Sequence, residues 1–229
     1  MTPRRNETST TIKTNRQASR KPVEVFAGFN GVINPEGTII NSSKFVELSN
    51  IEEVRYNDDR YYAIDRHGLA SSEFFWSSEL LGQINELIKV RRIKWHWLSS
   101  EWMWFDEINP QLGLSSQQAG AKSMVSKTDK PYAIKRAIKH NARRKHARDI
   151  IWLDDDFGSN DRCWKKLTRL VERTRIRLLK ITTDPTTGLS RDDFQALLRF
   201  IDDSNRLPGV QFRRSVECTD GVTVFSPFI

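Results

Sequence analysis

The chain has 229 residues, 38% of them apolar, and a formal net charge of +8. That length suits one domain of ordinary size, and the apolar content suffices for a core. No run of about 18 apolar residues occurs, which excludes a membrane-spanning helix, and Cys163 and Cys218 are too few and too isolated for a disulfide framework or a zinc site.

The charge is concentrated at the start. Residues 1–22 hold Arg4, Arg5, Lys13, Arg16, Arg20 and Lys21 against one acid, Glu7. Thr, Ser and Asn fill most of the remainder, so the segment cannot bury enough surface to offset its ordering entropy and is expected to be a disordered basic tail. It reads either as a solubilising tail or as a contact arm for nucleic acid or another polyanion. No apolar stretch of a secretory signal is present, so an intracellular, reduced, cytoplasmic protein is expected.

Val23–Phe29 is a nearly continuous apolar run, the pattern of a buried parallel strand. Residues 44–64 alternate roughly around Asn57-Asp58-Asp59 and predict a β-hairpin flap. Leu80, Leu81, Ile84, Leu87 and Ile88 have helical spacing and predict a helix over 77–90. Ile93–Leu98 predicts a second strand, followed by a segment with Trp102 and Trp104. Residues 112–129 are rich in Gly, Ser and Gln and predict a loop around a short strand.

Pro131 suits the first turn of a helix running to about His146. Strands are expected at 149–153 and 176–181, with an amphipathic helix over 160–173 between them. Ser190 with Asp193 reads as a capping box for a helix ending near Asp203. Alternating strand and helix from 77 to 203 argue for a parallel sheet flanked by helices, an α/β fold. Residues 204–229 form a C-terminal extension, in which 211–218 and 222–225 flank Asp220-Gly221, a hairpin signal.

Ligands in an open α/β sheet bind at the carboxyl ends of the strands, and four such places stand out here. The first is Gly28-Phe29-Asn30-Gly31 within VEVFAGFNGVINP, and the second is Ser99 in WHWLSSEW. The third is Lys130 in TDKPYAIKRAI, with Lys127 a weaker choice. The fourth is Asp154-Asp155-Asp156 in IIWLDDDF. In this order they resemble the haloacid dehalogenase (HAD) superfamily of phosphatases, whose first loop reads Asp-x-Asp-Gly-Val-(Leu/Ile)-Asn-Pro. The stretch ITTDPTTGLSRDDFQALLRF at 181–200 also resembles a bacterial HAD-like subgroup, and the likeness covers residues 23–203.

The resemblance implies a HAD-like sheet with a small flap in place of a large cap. It also implies roles for particular residues. Asp154 and Asp155 match the metal-binding acids, and Ser99, Lys130 and the backbone near Gly31 match the phosphate holders. Gly28 and Asn30 stand where the family has its nucleophile and its acid/base. Glycine cannot attack phosphorus, and asparagine cannot accept and return a proton at neutral pH. Removing two carboxylates weakens magnesium binding, because this cation prefers anionic oxygen.

Three functions follow as expectations. The first is a degenerate, non-catalytic domain that binds a phosphorylated small molecule or a protein partner. The second is an active phosphohydrolase using Asp154–Asp156 with magnesium and a directly attacking water. The third is a nucleic-acid-associated accessory protein acting through Arg4, Arg5 and the basic run with Arg143, Arg144 and Lys145. Bland alternatives stand beside each residue: Ser99 as a helix cap, Lys130 as a solvated side chain, the three aspartates as a helix N-terminal cluster. His96 reads as structural, and Tyr61, Tyr62 and the tryptophans read as packing groups. A charge run is ordinarily a solvated face.

Overall fold

The computed structural model describes residues 21–35, 39–40, 44–45, 60–69, 72–99, 105–114, 123–124, 129–143, 148–157, 161–174, 176–203 and 209–214. In chain order the strands are β1 (Val23–Ala27), β2 (Ile39–Ile40), β3 (Lys44–Phe45), β4 (Asp65–Leu69), β5 (Ser72–Trp76), β6 (Ile93–Ser99), β7 (Ser123–Met124), β8 (Ile150–Asp154), β9 (Arg177–Thr182) and β10 (Gly209–Arg214). The helices are α1 (Ser78–Lys89), α2 (Phe105–Gln111), α3 (Lys130–Ala142), α4 (Asp161–Thr174) and α5 (Arg191–Asp202).

Six strands make one sheet in the order β10-β9-β8-β1-β6-β7, and every pairing in it is parallel. β1 and β8 are buried along their whole length. Strands covered on both faces have no solvent side, which is why VEVFA and IIWLD read as apolar runs rather than as alternation. The two faces have separate cores. Val23, Val25 and Ala27 of β1 pack with the apolar stripes of α1 and α5. Phe26 of β1 packs the other way, with Ile134 and Ile138 of α3 and Leu167 and Val171 of α4.

Local chemistry fixes the helix ends. The Ser77 hydroxyl accepts from the Leu80 N–H at 3.3 Å and opens α1. At the other end the Arg91 and Arg92 N–H groups reach the Ile88 and Leu87 carbonyls, with Arg91 in the left-handed region at φ 58°. This is a Schellman stop carried by a residue other than glycine. The expected capping box opens α5: the Ser190 hydroxyl accepts from the Asp193 N–H at 3.1 Å, and the Ser190 N–H donates to the Asp193 carboxylate at 3.3 Å. Arg177 at the start of β9 is buried and donates to both Asp149 and Asp203, tying β8 and α5 to β9.

Three expectations fall partly outside the described residues. The basic helix ends at Ala142 rather than near His146, and Arg144 and Lys145 lie outside the described residues. Most of the flap expected at 44–64 also lies outside them; within that range Lys44–Phe45 form β3, paired antiparallel with β2, residues 60–64 form no strand, and a further antiparallel pair is β4–β5 at 65–76. Its residues do not alternate cleanly, since Phe74, Phe75 and Trp76 are all buried. Finally, β10 overlaps the first arm of the expected C-terminal hairpin and pairs parallel with β9, at one end of the sheet among the described residues. Arg213 of β10 donates to the buried Asp193 carboxylate at 2.8 Å, which locks that strand to α5. The second arm and the basic tail with Arg4 and Arg5 lie outside the described residues.

His96 is structural in its placement. It stacks on Phe26 at 4.6 Å between ring centroids, is buried, and has no hydrogen-bond partner on either ring nitrogen among the described residues. Burial pushes its pKa down to about 4; Lys94 and Arg148 lower it further, and only Glu24 opposes. Folded protein therefore binds fewer protons than unfolded chain between about pH 6.5 and 4, and stability falls as pH drops through that window. Replacing the ring with an apolar one removes this contribution. In paired denaturant titrations, His96→Phe is expected to gain about 2–3 kcal/mol on wild type between pH 7 and pH 4.5. Parallel pH profiles for the two proteins would contradict a buried neutral imidazole.

Candidate functional site

The strand order locates the crevice. From β1 the chain moves to β6 and β7 on one side, then returns to β8, β9 and β10 on the other. The carboxyl ends of β1 and β8 thus flank the point where the order reverses, the usual ligand position in such sheets. The Gly28 N–H continues the β1–β8 pairing by donating to the Leu153 carbonyl at 3.0 Å. Gly28 and Asp154 are thereby neighbours across two strand ends.

Asp154 is the centre of the site and is fully buried. The Lys130 ammonium donates to its Oδ1 at 2.7 Å, and the Trp152 indole N–H donates to Oδ2 at 3.1 Å. The Asp156 N–H also reaches Oδ1 at 3.4 Å. Lys130 is itself buried, at the N-terminal end of α3. Burial pushes the Asp154 carboxyl up to about 6, against the lowering by Lys130, and a hydrogen bond and repulsion from Asp155 raise it further. Lys130 is therefore not a solvated residue ahead of a helix, and Asp154 is not a helix-end acid. They form one buried ion pair.

The β1 loop is internally closed. The Val32, Ile33 and Asn34 N–H groups all turn to the Phe29 carbonyl, and the Gly31 N–H donates to the Asn34 carbonyl at 2.7 Å. The Gly31 amide is thus engaged within the turn. Asn30 also belongs to the turn: its Oδ1 accepts from the Asn34 side chain at 2.7 Å, and Asn34 Oδ1 accepts from the Phe75 N–H of β5 at 2.7 Å. An unexpected residue, Thr183, locks this loop from the far side. Its hydroxyl donates to the Gly31 carbonyl at 2.6 Å, and its own N–H donates to the Asp154 carbonyl at 3.0 Å. Thr183 stands directly after β9, one residue beyond Thr182, which pairs with the acid that ends β8.

Ser99 ends β6 and is buried. Asp155 is half-exposed and crowds Gly31. Lys127 lies outside the described residues, and Arg143 caps the exposed end of α3, away from the strand ends. Among the described residues no group of three or more His, Cys, Asp or Glu side chains is placed to hold a metal ion; both Asp154 oxygens accept hydrogen bonds, and Gly28 and Asn30 supply no carboxylate. A shallow groove of about 410 Å³ lies elsewhere, between α1 and α5, lined by Leu87, Phe194 and Leu198 with Glu79 and Glu86. It holds no group suited to phosphoryl transfer.

Comparison with protein-family models, with curated proteins and with solved structures found no match.

The two glycines of the loop differ in kind. Gly31 has φ +69°, and a Cβ there would lie 2.6 Å from the Asp155 side chain. Gly28 has no such backbone constraint, and its Cβ would meet Val32 Cγ2 at 3.4 Å and Asp154 Oδ1 at 3.6 Å, ordinary contacts. Thermal and denaturant unfolding should separate them. Gly31→Ala is expected to cost about 2 kcal/mol or more, and Gly28→Ala to stay within about 1 kcal/mol of wild type. Equal costs would contradict this division.

Proposed function

We propose that the chain is a HAD-like domain with a degenerate active site, a non-catalytic module that holds a phosphorylated ligand or partner at the crevice beside Lys130. The observation that carries this reading is the buried Lys130–Asp154 pair set next to a residue with no side chain. In phosphoaspartate chemistry a carboxylate attacks phosphorus and carries the phosphoryl group, and a second carboxyl protonates the leaving oxygen. The positions that would supply both groups are Gly28 and Asn30, and Asn30 is occupied in bracing its own turn.

What remains suits binding rather than turnover. The Lys130 ammonium has three N–H bonds and spends one on Asp154. A phosphate oxygen can take another as a charge-assisted hydrogen bond. Because Gly28 lacks a side chain, the space beside Asp154 Oδ1 is free of the group that would otherwise fill it. Ser99, at the end of the adjacent strand β6, supplies the hydroxyl that the HAD resemblance assigns to phosphate binding. The active phosphohydrolase is the weaker reading. It needs Asp154 as a metal ligand or base, whereas that carboxyl is fully buried and held by Lys130 and Trp152.

Turnover of a chromogenic phosphomonoester with magnesium tests the non-catalytic reading. The expected rate is indistinguishable from buffer and from an Asp154→Ala/Asp155→Ala control. Robust hydrolysis that disappears in the control would overturn it.

A further inference from the structure

The two helical layers carry opposite charge. On one face, α1 and α5 hold Glu79, Glu86, Asp192, Asp193 and Asp202 against Lys89, Arg191 and Arg199. On the other, α3 carries Lys130, Lys135, Arg136 and Lys139 and no acid, and α4 has Arg162, Lys165, Lys166, Arg169 and Arg173 against Asp161 and Glu172. The basic run was legible in α3; its continuation onto α4 emerges only when the helices pack.

They pack side by side, because Ile134 and Ile138 of α3 share one apolar cluster with Leu167 and Val171 of α4. That seam turns the polar sides outward. Arg136, Lys139 and Arg143 fall at helical spacings of three and four, and so do Lys166, Arg169 and Arg173; all six are exposed. Each stripe is about 10 Å long at the rise of an α-helix, and packed helices lie about 8–10 Å apart. No described carboxylate pairs with any of the six. A solvated face ordinarily interleaves acids, as α1 does where Lys89 meets Glu86 at 3.2 Å. Six unpaired cations on two neighbouring stripes instead repel one another, and a polyanion relieves that repulsion.

The occupant follows from chemistry. A membrane-surface helix needs large apolar groups beside its cations, and among the described residues of this face the exposed large apolar side chain is Tyr132 alone. Arg136, Arg143, Arg169 and Arg173 present guanidinium forks, which match phosphate oxygens in pairs. We propose that the paired outer faces of α3 and α4 form a docking surface for the phosphate backbone of a nucleic-acid duplex, contacted without reading its sequence. This surface is independent of ligand binding at Lys130.

The test measures binding of the full chain to a labelled mixed-sequence duplex of about 20 base pairs by anisotropy, from about 50 to 200 mM salt. Two triple variants are compared with wild type: Arg136→Gln/Lys139→Gln/Arg143→Gln and Lys166→Gln/Arg169→Gln/Arg173→Gln. Both are expected to fold as wild type by circular dichroism. Wild type should show a log–log salt slope of about −5, and each triple variant should lose about half of it and bind at least about 10-fold more weakly at 100 mM salt. Lys89→Gln/Arg199→Gln on the opposite layer should bind as wild type. The proposal is overturned if the duplex fails to bind at 50 mM salt, if either triple variant binds as wild type, or if vesicles of mixed phosphatidylserine and phosphatidylcholine bind more tightly than the duplex.

Discussion

The buried ion pair between Lys130 and Asp154 is the contact on which the candidate site is built. It joins the first turn of α3 to the end of β8, two elements brought together by the reversal of strand order beside β1. Burying two charges is costly, and their attraction offsets that cost only where geometry is good and the remaining lone pairs are satisfied. Here the Trp152 indole N–H and the Asp156 N–H complete the carboxylate, and the Asp154 carbonyl takes the Thr183 N–H. Removing one partner alone would leave an uncompensated buried charge, a loss of about 3–5 kcal/mol.

Around that pair, the strand-end loops brace one another rather than reach for a substrate. Thr183 donates to the Gly31 carbonyl and the Leu189 N–H donates to the Val32 carbonyl, so the loop after β9 is fastened to the loop after β1. Asn30, Asn34 and the Phe75 N–H extend the same bracing into the β4–β5 hairpin. Rigid turns that consume their own polar groups preorganise a binding surface but leave few groups free to move protons. This is the physical ground on which we propose a bound ligand rather than a reaction for the crevice.

Much of the fold was legible because the elements that matter are strongly patterned. The strands β1 and β8 are continuous apolar runs, α1 has its Leu80–Ile84–Leu87 spacing, and the Ser190–Asp193 box is a local signal that tertiary context did not override. The parallel pairing of β10 with β9 was hidden because nothing in a strand's own residues states which neighbour it will choose. The sequence order marked residues that the structure brings together at the strand ends, but not how they bond. Lys130, Asp154 and Asn30 were singled out by the resemblance to the HAD motifs in that order along the chain. That Lys130 is spent on Asp154, and that the Gly31 amide faces into its own turn, depends on contacts between residues 24 and more apart or on turn geometry. Thr183 was missed because a threonine after a strand is common, and only its bonds to the Gly31 and Asp154 carbonyls give it meaning.

The central claim is that Lys130 anchors an anionic ligand in a crevice that performs no chemistry. Calorimetric titration of inorganic phosphate and a phosphomonoester into the full chain, with and without a chelator, tests it most directly. The account predicts binding at millimolar concentration or tighter, unchanged by the chelator. The paired variant Lys130→Met/Asp154→Leu, which leaves no uncompensated charge, should weaken binding by about 1.5–3 kcal/mol. Absence of heat from both ligands in the folded wild-type protein, or equal binding by the paired variant, would contradict it.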